Sequence, residues 1–402
     1  MMTPEPRELQ ELVRELHQQA APWQPAGLGS RLNWGPPVMG GSTTVSCRRL
    51  SGIVEHSPGD FTVTALAGTP LVELQAELAH HGQWLAVDWP WGSGLGGQAS
   101  GSLGGLVARG LAGGLRQRYL GVRDQIIGLE LIRSDGTRAR AGGKVVKNVA
   151  GYDLMRLMAG SWGSLGLISS LTLRTMPEPP QRRGLKLEGP LEALGQLASW
   201  LLGSSLSPER IDSWRPSAAQ EDGTGLLISL ASINALTLNE QIGCIAAKAA
   251  ALAITVQTLE PAELASLVGQ SQGSETGSSD WLLRLAVRPN QATALLNDPA
   301  LAGLPVVLGA GSGLGIAWAT ASALPTYKVE ALRRHCQQVG GYLTVLRQPA
   351  GSKLPAWLDA PSRPMIEAIK RQFDPKQQLS RGRLPGVDLP GVGLPGVEPP
   401  RS

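Results

Sequence analysis

Residues 92–114 read Gly-Ser-Gly-Leu-Gly-Gly-Gln-Ala-Ser-Gly-Ser-Leu-Gly-Gly-Leu-Val-Ala-Arg-Gly-Leu-Ala-Gly-Gly. Ten of these 23 positions are glycine, so ordering the segment costs much backbone entropy. Something must reward close approach of the backbone. By letter, Gly92-x-Gly94-x-x-Gly97 matches the dinucleotide fingerprint. Its surroundings do not: Trp89-Pro90-Trp91 precedes it, more glycine follows it, and Gln117 stands where an acid is needed. Gly143-Lys144 is followed by Val145, so a phosphate loop of the ATPase kind is absent too.

Two further glycine segments lie outward from this one, Gly27-Leu28-Gly29-Ser30-Arg31 and Gly163-Ser164-Leu165-Gly166. With Gly101-Ser102-Leu103-Gly104-Gly105 they make three segments about 70 residues apart. Backbone N–H groups in such turns form anion nests, and only glycine lets a pyrophosphate come close. Three of them suit a long, extended dinucleotide. The other reading is close packing of helix on strand through small residues, and the residues alone leave both open.

The rest of the sequence separates by pattern. An amphipathic helix is expected over 4–20, capped by Thr3, with Leu9, Leu12, Val13 and Leu16 on one face. A strand follows at 61–66, then a helix capped by Thr69 and begun by Pro70. Strands are expected at 126–133 and 167–174, and Pro177, Pro179 and Pro180 mark a boundary. Residues 184–259 then read βαββαβ, and 281–347 repeat that order after a Gly/Ser loop at 273–280. Two such passes imply an antiparallel sheet covered by helices, either as two ferredoxin-like units or as one continuous sheet. The tail repeats Leu-Pro-Gly-Val from Leu384, Leu389 and Leu394, which reads as disorder.

Composition excludes several classes. A net charge of +4 over 402 residues is no nucleic-acid stripe. The three cysteines, Cys47, Cys244 and Cys336, have no zinc or iron–sulfur spacing, and a reducing cytoplasm is the expected compartment. The N-terminus lacks a signal peptide's basic and apolar regions, and no run of about 18 apolar residues occurs. Any membrane contact is therefore expected to be peripheral or made through a partner. His80-His81 falls at a helix end, where imidazolium favours the dipole. Lys147 and Tyr152 read as support for a turn, and Trp89 and Trp91 as packing anchors.

The motif order resembles the FAD-binding domain of the vanillyl-alcohol-oxidase/PCMH flavoprotein superfamily, and more closely the FAD-binding E subunits of bacterial glycolate oxidases. Ala67–Leu74, Gly101–Ala108, Gly121–Asp124, Lys147–Leu154, Arg156–Gly166 and the C-terminal Phe373-Asp374-Pro375 with Gly382-Arg383 carry the likeness. Val146–Leu154 is the block specific to the E subunit. The resemblance implies an α+β fold: a PCMH-type FAD-binding domain of two subdomains over 1–180, an antiparallel α+β cap over 181–348, and a segment returning to the FAD domain over 349–384. Residues 385–402 would be a tail.

It also implies that Gly27, Gly29, Ser30 and Arg31 form the first pyrophosphate loop. Gly101, Ser102, Gly104 and Gly105 form the second, Ala108 points toward the flavin, and Gly121, Gly166 and Ile168 serve the adenosine half. FAD should be non-covalent, since the first loop holds no His or Cys. Related D-lactate and D-glycolate dehydrogenases that work as one polypeptide carry an HxGDGNxH block near the cap's end, where this sequence reads Gly341–Gln348 without histidine. Arg381 also replaces the usual proline before the terminal Gly-Arg. The implied function is the FAD-binding subunit of a complex oxidising a 2-hydroxy acid, glycolate to glyoxylate. Its partners would be a D-lactate-dehydrogenase-like flavoprotein and an iron–sulfur subunit. The alternatives are a non-catalytic structural subunit and a self-sufficient oxidase of another hydroxy acid. Catalytic residues are not assigned.

Overall fold

A computed structural model describes residues 1–38, 41–88, 101–143, 153–215, 224–271, 280–358 and 360–384. Gly92–Gly97, Trp89, Trp91, Lys147, Tyr152, most of the 273–280 loop and the Pro-Gly repeat lie outside them.

Two sheets organise the chain. The first has five antiparallel strands in the order Ile53–Ser57, Thr62–Leu66, Leu167–Arg174, Ile126–Ile132, Arg138–Gly142. Helices Leu71–Ala79, Leu103–Arg109 and Leu154–Met158 join its core, which includes Leu74, Leu78, Val107, Met158 and Leu171. The second sheet has eight antiparallel strands. Their order is Thr255–Leu259, Gln181–Glu188, Gly225–Ser232, Arg210–Arg215, Val306–Gly309, Leu314–Ala319, Trp281–Ala286, Tyr342–Arg347.

The two βαββαβ passes are thus joined edge to edge, with Asp212 opposite Gly309. Of the two arrangements the pattern allowed, the continuous sheet is the one formed. Burial on both faces explains why its central strands read as unbroken apolar runs rather than alternations. One face holds the helices: Leu194, Leu197 and Leu238 in one cluster, Leu295, Val329 and Leu332 in another. On the other, Trp214, Leu227, Val307, Ile316 and Trp318 share a cluster with Trp34, Leu111 and Trp162 from the first half of the chain. That second cluster packs loops of the first half of the chain against the eight-stranded sheet.

Three local readings are corrected. The first helix begins at Leu9, not Pro4, because Met2 is drawn into extended pairing: its N–H donates to Thr44 O and its carbonyl accepts from Ser46 N. Thr69 does not cap the helix Leu71–Ala79; its hydroxyl exchanges hydrogen bonds with the N–H and C=O of Gly52. Helices Pro261–Ser271 and Arg363–Phe373 were not anticipated.

The C-terminal segment folds back on the start of the chain. Trp23 N–H donates to Gln378 O and Ser380 N–H to Trp23 O. Lys370, buried on the last helix, donates to Asp374 Oδ2 (2.6 Å), Leu379 O (2.7 Å) and Ser164 O (3.0 Å).

Candidate functional site

A cleft enclosing about 1050 Å³, its solvent mouth included, opens beside the interface of the two halves. Its walls contain Gly27, Gly29, Ser30 and Arg31 from the loop after the strand Trp23–Ala26. They also contain Gly101, Ser102, Gly104, Gly105 and Ala108 at the helix Leu103–Arg109, and Gly166 and Ile168 at the strand Leu167–Arg174. Three segments distant in sequence therefore meet at one space. Gly121 does not line it; it caps the turn Val122–Gln125, its N–H donating to Asp124 Oδ2 at 3.2 Å.

The two main glycine segments are held differently. In the first loop the carbonyls are tied outward: Gly27 O accepts from Ser46 Oγ (3.3 Å), Arg31 O from Arg109 Nη2 (2.7 Å) and Leu32 O from Arg383 Nη2 (2.5 Å). Among the described residues the amides of Leu28, Gly29 and Ser30 have no protein acceptor. Gly29 has φ +80°, a left-handed value that a side chain would strain. At the second segment the amides are already used: Leu103 N–H on Thr69 O (2.9 Å), Gly104 N–H on Ala67 O (2.7 Å), Gly105 N–H on the Ser102 hydroxyl (3.3 Å). Ser102 is thus an N-cap. The segments touch, since a Cβ on Gly27 would stand 1.9 Å from Ser102 Oγ.

Positive charge gathers beside the loop. Arg109 and Arg383 both donate to Trp34 O. Arg109 also lies over the Trp162 ring, 4.0 Å from its centroid. Burial pushes Arg109 down to about 9, and the neighbouring Arg383 and Arg31 press the same way. Burial alone lowers Arg31 and Arg383 to about 10. No carboxylate among the described residues pairs with Arg109 or Arg383. A cluster of cations facing partly desolvated space favours an anionic ligand. Loop amides without acceptors, a left-handed glycine among them and a gathering of arginines all fit the diphosphate of FAD.

Acid–base equipment is sparse. Among the described residues the cleft's carboxylate is Asp88, and it is occupied. It accepts from Gly113 N (2.7 Å), Leu115 N (3.2 Å) and Arg210 Nη2 (2.8 Å). Arg210 also donates to Asp212 Oδ2 at 2.6 Å. This buried triad ties the cleft wall to the eight-stranded sheet. Burial raises the Asp212 carboxyl despite the pull of Arg210, and its Oδ1 has no partner. Cys47 is pushed up to about 12 by burial, so it stays a thiol. Arg109, Trp162 and Asp88 were missed in the sequence: Arg109 lies inside the glycine block, and Asp88 meets Arg210 only in space.

Residues 4–142 match the family model for an FAD binding domain. An alkyldihydroxyacetonephosphate synthase structure superposes with a TM-score of 0.66 over 94% of this chain and 76% of that one, at 16% identity, which shows a shared fold. Residues 4–142 thus form an FAD-binding domain, and FAD is its cofactor. More particularly, the chain is 41% identical over 177 residues to the glycolate oxidase subunit GlcE of Escherichia coli, across 44% of this chain and 49% of that protein. It is 29% identical to the glycolate oxidase subunit GlcD of Bacillus subtilis, across 52% of this chain and 44% of that protein. A D-2-hydroxyglutarate dehydrogenase of Xanthomonas citri is 33% identical across 43% and 35%. The chain thus spans about half the length, or less, of these curated relatives.

Proposed function

We propose that this chain is the FAD-holding subunit of a glycolate oxidase complex, oxidising a 2-hydroxy acid, glycolate, to its 2-oxo acid. FAD, when bound, supplies the redox chemistry; the protein supplies placement and electrostatics. The amides of Leu28, Gly29 and Ser30, with Arg31 and Arg109, would hold its diphosphate. Gly105 and Ala108 would border the part of the cofactor running toward the flavin, and Gly166 and Ile168 the adenosine half. The binding is non-covalent, the first loop offering neither His nor Cys.

The observation that carries this reading is the contrast within the cleft. The anion-holding groups are assembled, while its described carboxylate is bound up by two amides and Arg210. Deprotonating a substrate hydroxyl needs a base within hydrogen-bond reach. A D-lactate-dehydrogenase-like flavoprotein would bring that base, and an iron–sulfur subunit would take the electrons. No helix among the described residues is long and apolar enough to cross a membrane, so the reading puts any membrane contact on a partner.

Dye reduction with glycolate tests the division of labour. The lone subunit should be yellow, release its flavin on acid precipitation and reduce dye poorly; adding the two partners should restore turnover. Robust turnover by the lone subunit would favour a self-sufficient oxidase. Full activity of a complex whose copy of this chain cannot bind FAD would favour a structural subunit.

A further inference from the structure

Away from the cleft, the edge strand Ile53–Ser57 and the end of the helix Leu71–Ala79 bring His56, Glu77 and His81 together. One ligand-competent atom from each lies within 4.8 Å of the others. Glu77 and His81 are four residues apart, with His81 Nε2 3.8 Å from Glu77 Oε1. The His56 and His81 rings meet edge to face, centroids 4.8 Å apart.

The hydrogen bonds around His56 decide which nitrogen carries its proton. Gln83 Nε2 donates to Pro58 O at 2.8 Å, which leaves Gln83 Oε1 as an acceptor. That oxygen accepts from Thr175 Oγ1 at 2.6 Å and lies 3.2 Å from His56 Nε2. His56 Nε2 therefore bears the hydrogen, and Nδ1 presents a lone pair. His56 Nδ1 is buried and has no partner. A buried acceptor without a donor is costly. A ring whose far N–H is fixed by a carbonyl oxygen is also how metal-binding histidines are oriented.

We propose that His56, Glu77 and His81 form a binding site for one divalent transition-metal ion of the zinc class, with His56 ligating through Nδ1. Two imidazoles and a carboxylate suit zinc, and three protein ligands leave a position for water. Tetrahedral ligands about 2.0–2.1 Å from zinc sit roughly 3.3 Å apart, so the site must contract by up to about 1.5 Å. Glu77 and His81 can move to do so, each side chain being 45% exposed. The ion would clamp the helix end to the sheet edge. His80 also approaches Glu77, Nδ1 to Oε2 at 3.8 Å, but its ring is 76% exposed and offers no buried lone pair, so it serves as the control.

The test is calorimetric titration of the EDTA-stripped, dialysed full chain with zinc chloride, alongside melting with and without the ion. One ion per chain should bind, and zinc should raise the melting temperature reversibly. His81→Ala and Glu77→Gln should each weaken binding by at least about tenfold, and His80→Ala should not. His81 is exposed, so its removal leaves the fold intact. Substoichiometric binding, or equal affinity in His81→Ala, would overturn the site. Neither readout involves flavin or glycolate, so it stands or falls apart from the proposed activity.

Discussion

The loop Gly27–Arg31 and the helix start Ser102–Gly105 look alike in sequence and face the same cleft, yet they do opposite things with their amides. The loop turns its carbonyls toward Ser46, Arg48 and Arg109, and the N–H groups of Leu28, Gly29 and Ser30 have no protein acceptor among the described residues. The helix start spends its amides on Thr69, Ala67 and Ser102. Glycine richness therefore marks two separate needs. One is a backbone with amides left unpaired, where we place the anion, and the other is a helix seated against a strand end. Of the two readings left open by the sequence, close packing accounts for the helix start, and the anion-binding one is proposed for the loop.

Three substitutions sharpen that division. Gly27→Ala should have the largest effect: its Cβ would stand 1.9 Å from Ser102 Oγ, forcing the two segments apart. A loss of about 3 kcal/mol in chemical denaturation is expected, with at least tenfold weaker FAD binding. Gly104→Ala places a Cβ 2.8 Å from Ala67 Cβ, a packing fault costing about 1–2 kcal/mol. Flavin per folded chain should stay at the wild-type level; flavin loss at an unchanged melting temperature would put Gly104 in the cradle. Gly105→Ala places a Cβ near Ser102 Oγ alone, at 3.2 Å, so denaturation should move by less than about 0.5 kcal/mol while flavin falls. Wild-type flavin in that variant would take the helix start out of the proposed site.

The fold was most legible where burial is two-sided. The strand Gly225–Ser232 and its neighbours were found because a doubly covered strand is an unbroken apolar run, and the helices between them show their own period. The joining of both passes through Arg210–Arg215 and Val306–Gly309 was not decided, since edge pairing depends on register between distant strands. The start of the first helix was misplaced because pairing of Met2 with Val45 outweighs a local cap preference. In the site, the glycine segments were readable because backbone constraint leaves its mark in residue type. The Asp88–Arg210 contact left none: its partners are 122 residues apart, and either alone looks like a surface charge.

The C-terminal return has a consequence for the order of synthesis. Arg383 braces Leu32 and Trp34, and Leu379 pairs with Trp23, so the loop that borders the cleft is completed by residues made some 350 positions later. A nascent polypeptide has the five-stranded sheet's residues out of the ribosome long before these contacts can form. The eight-stranded sheet, too, is complete in sequence by Arg347. The contacts that brace the first loop are thus among the last to become available as the chain is made.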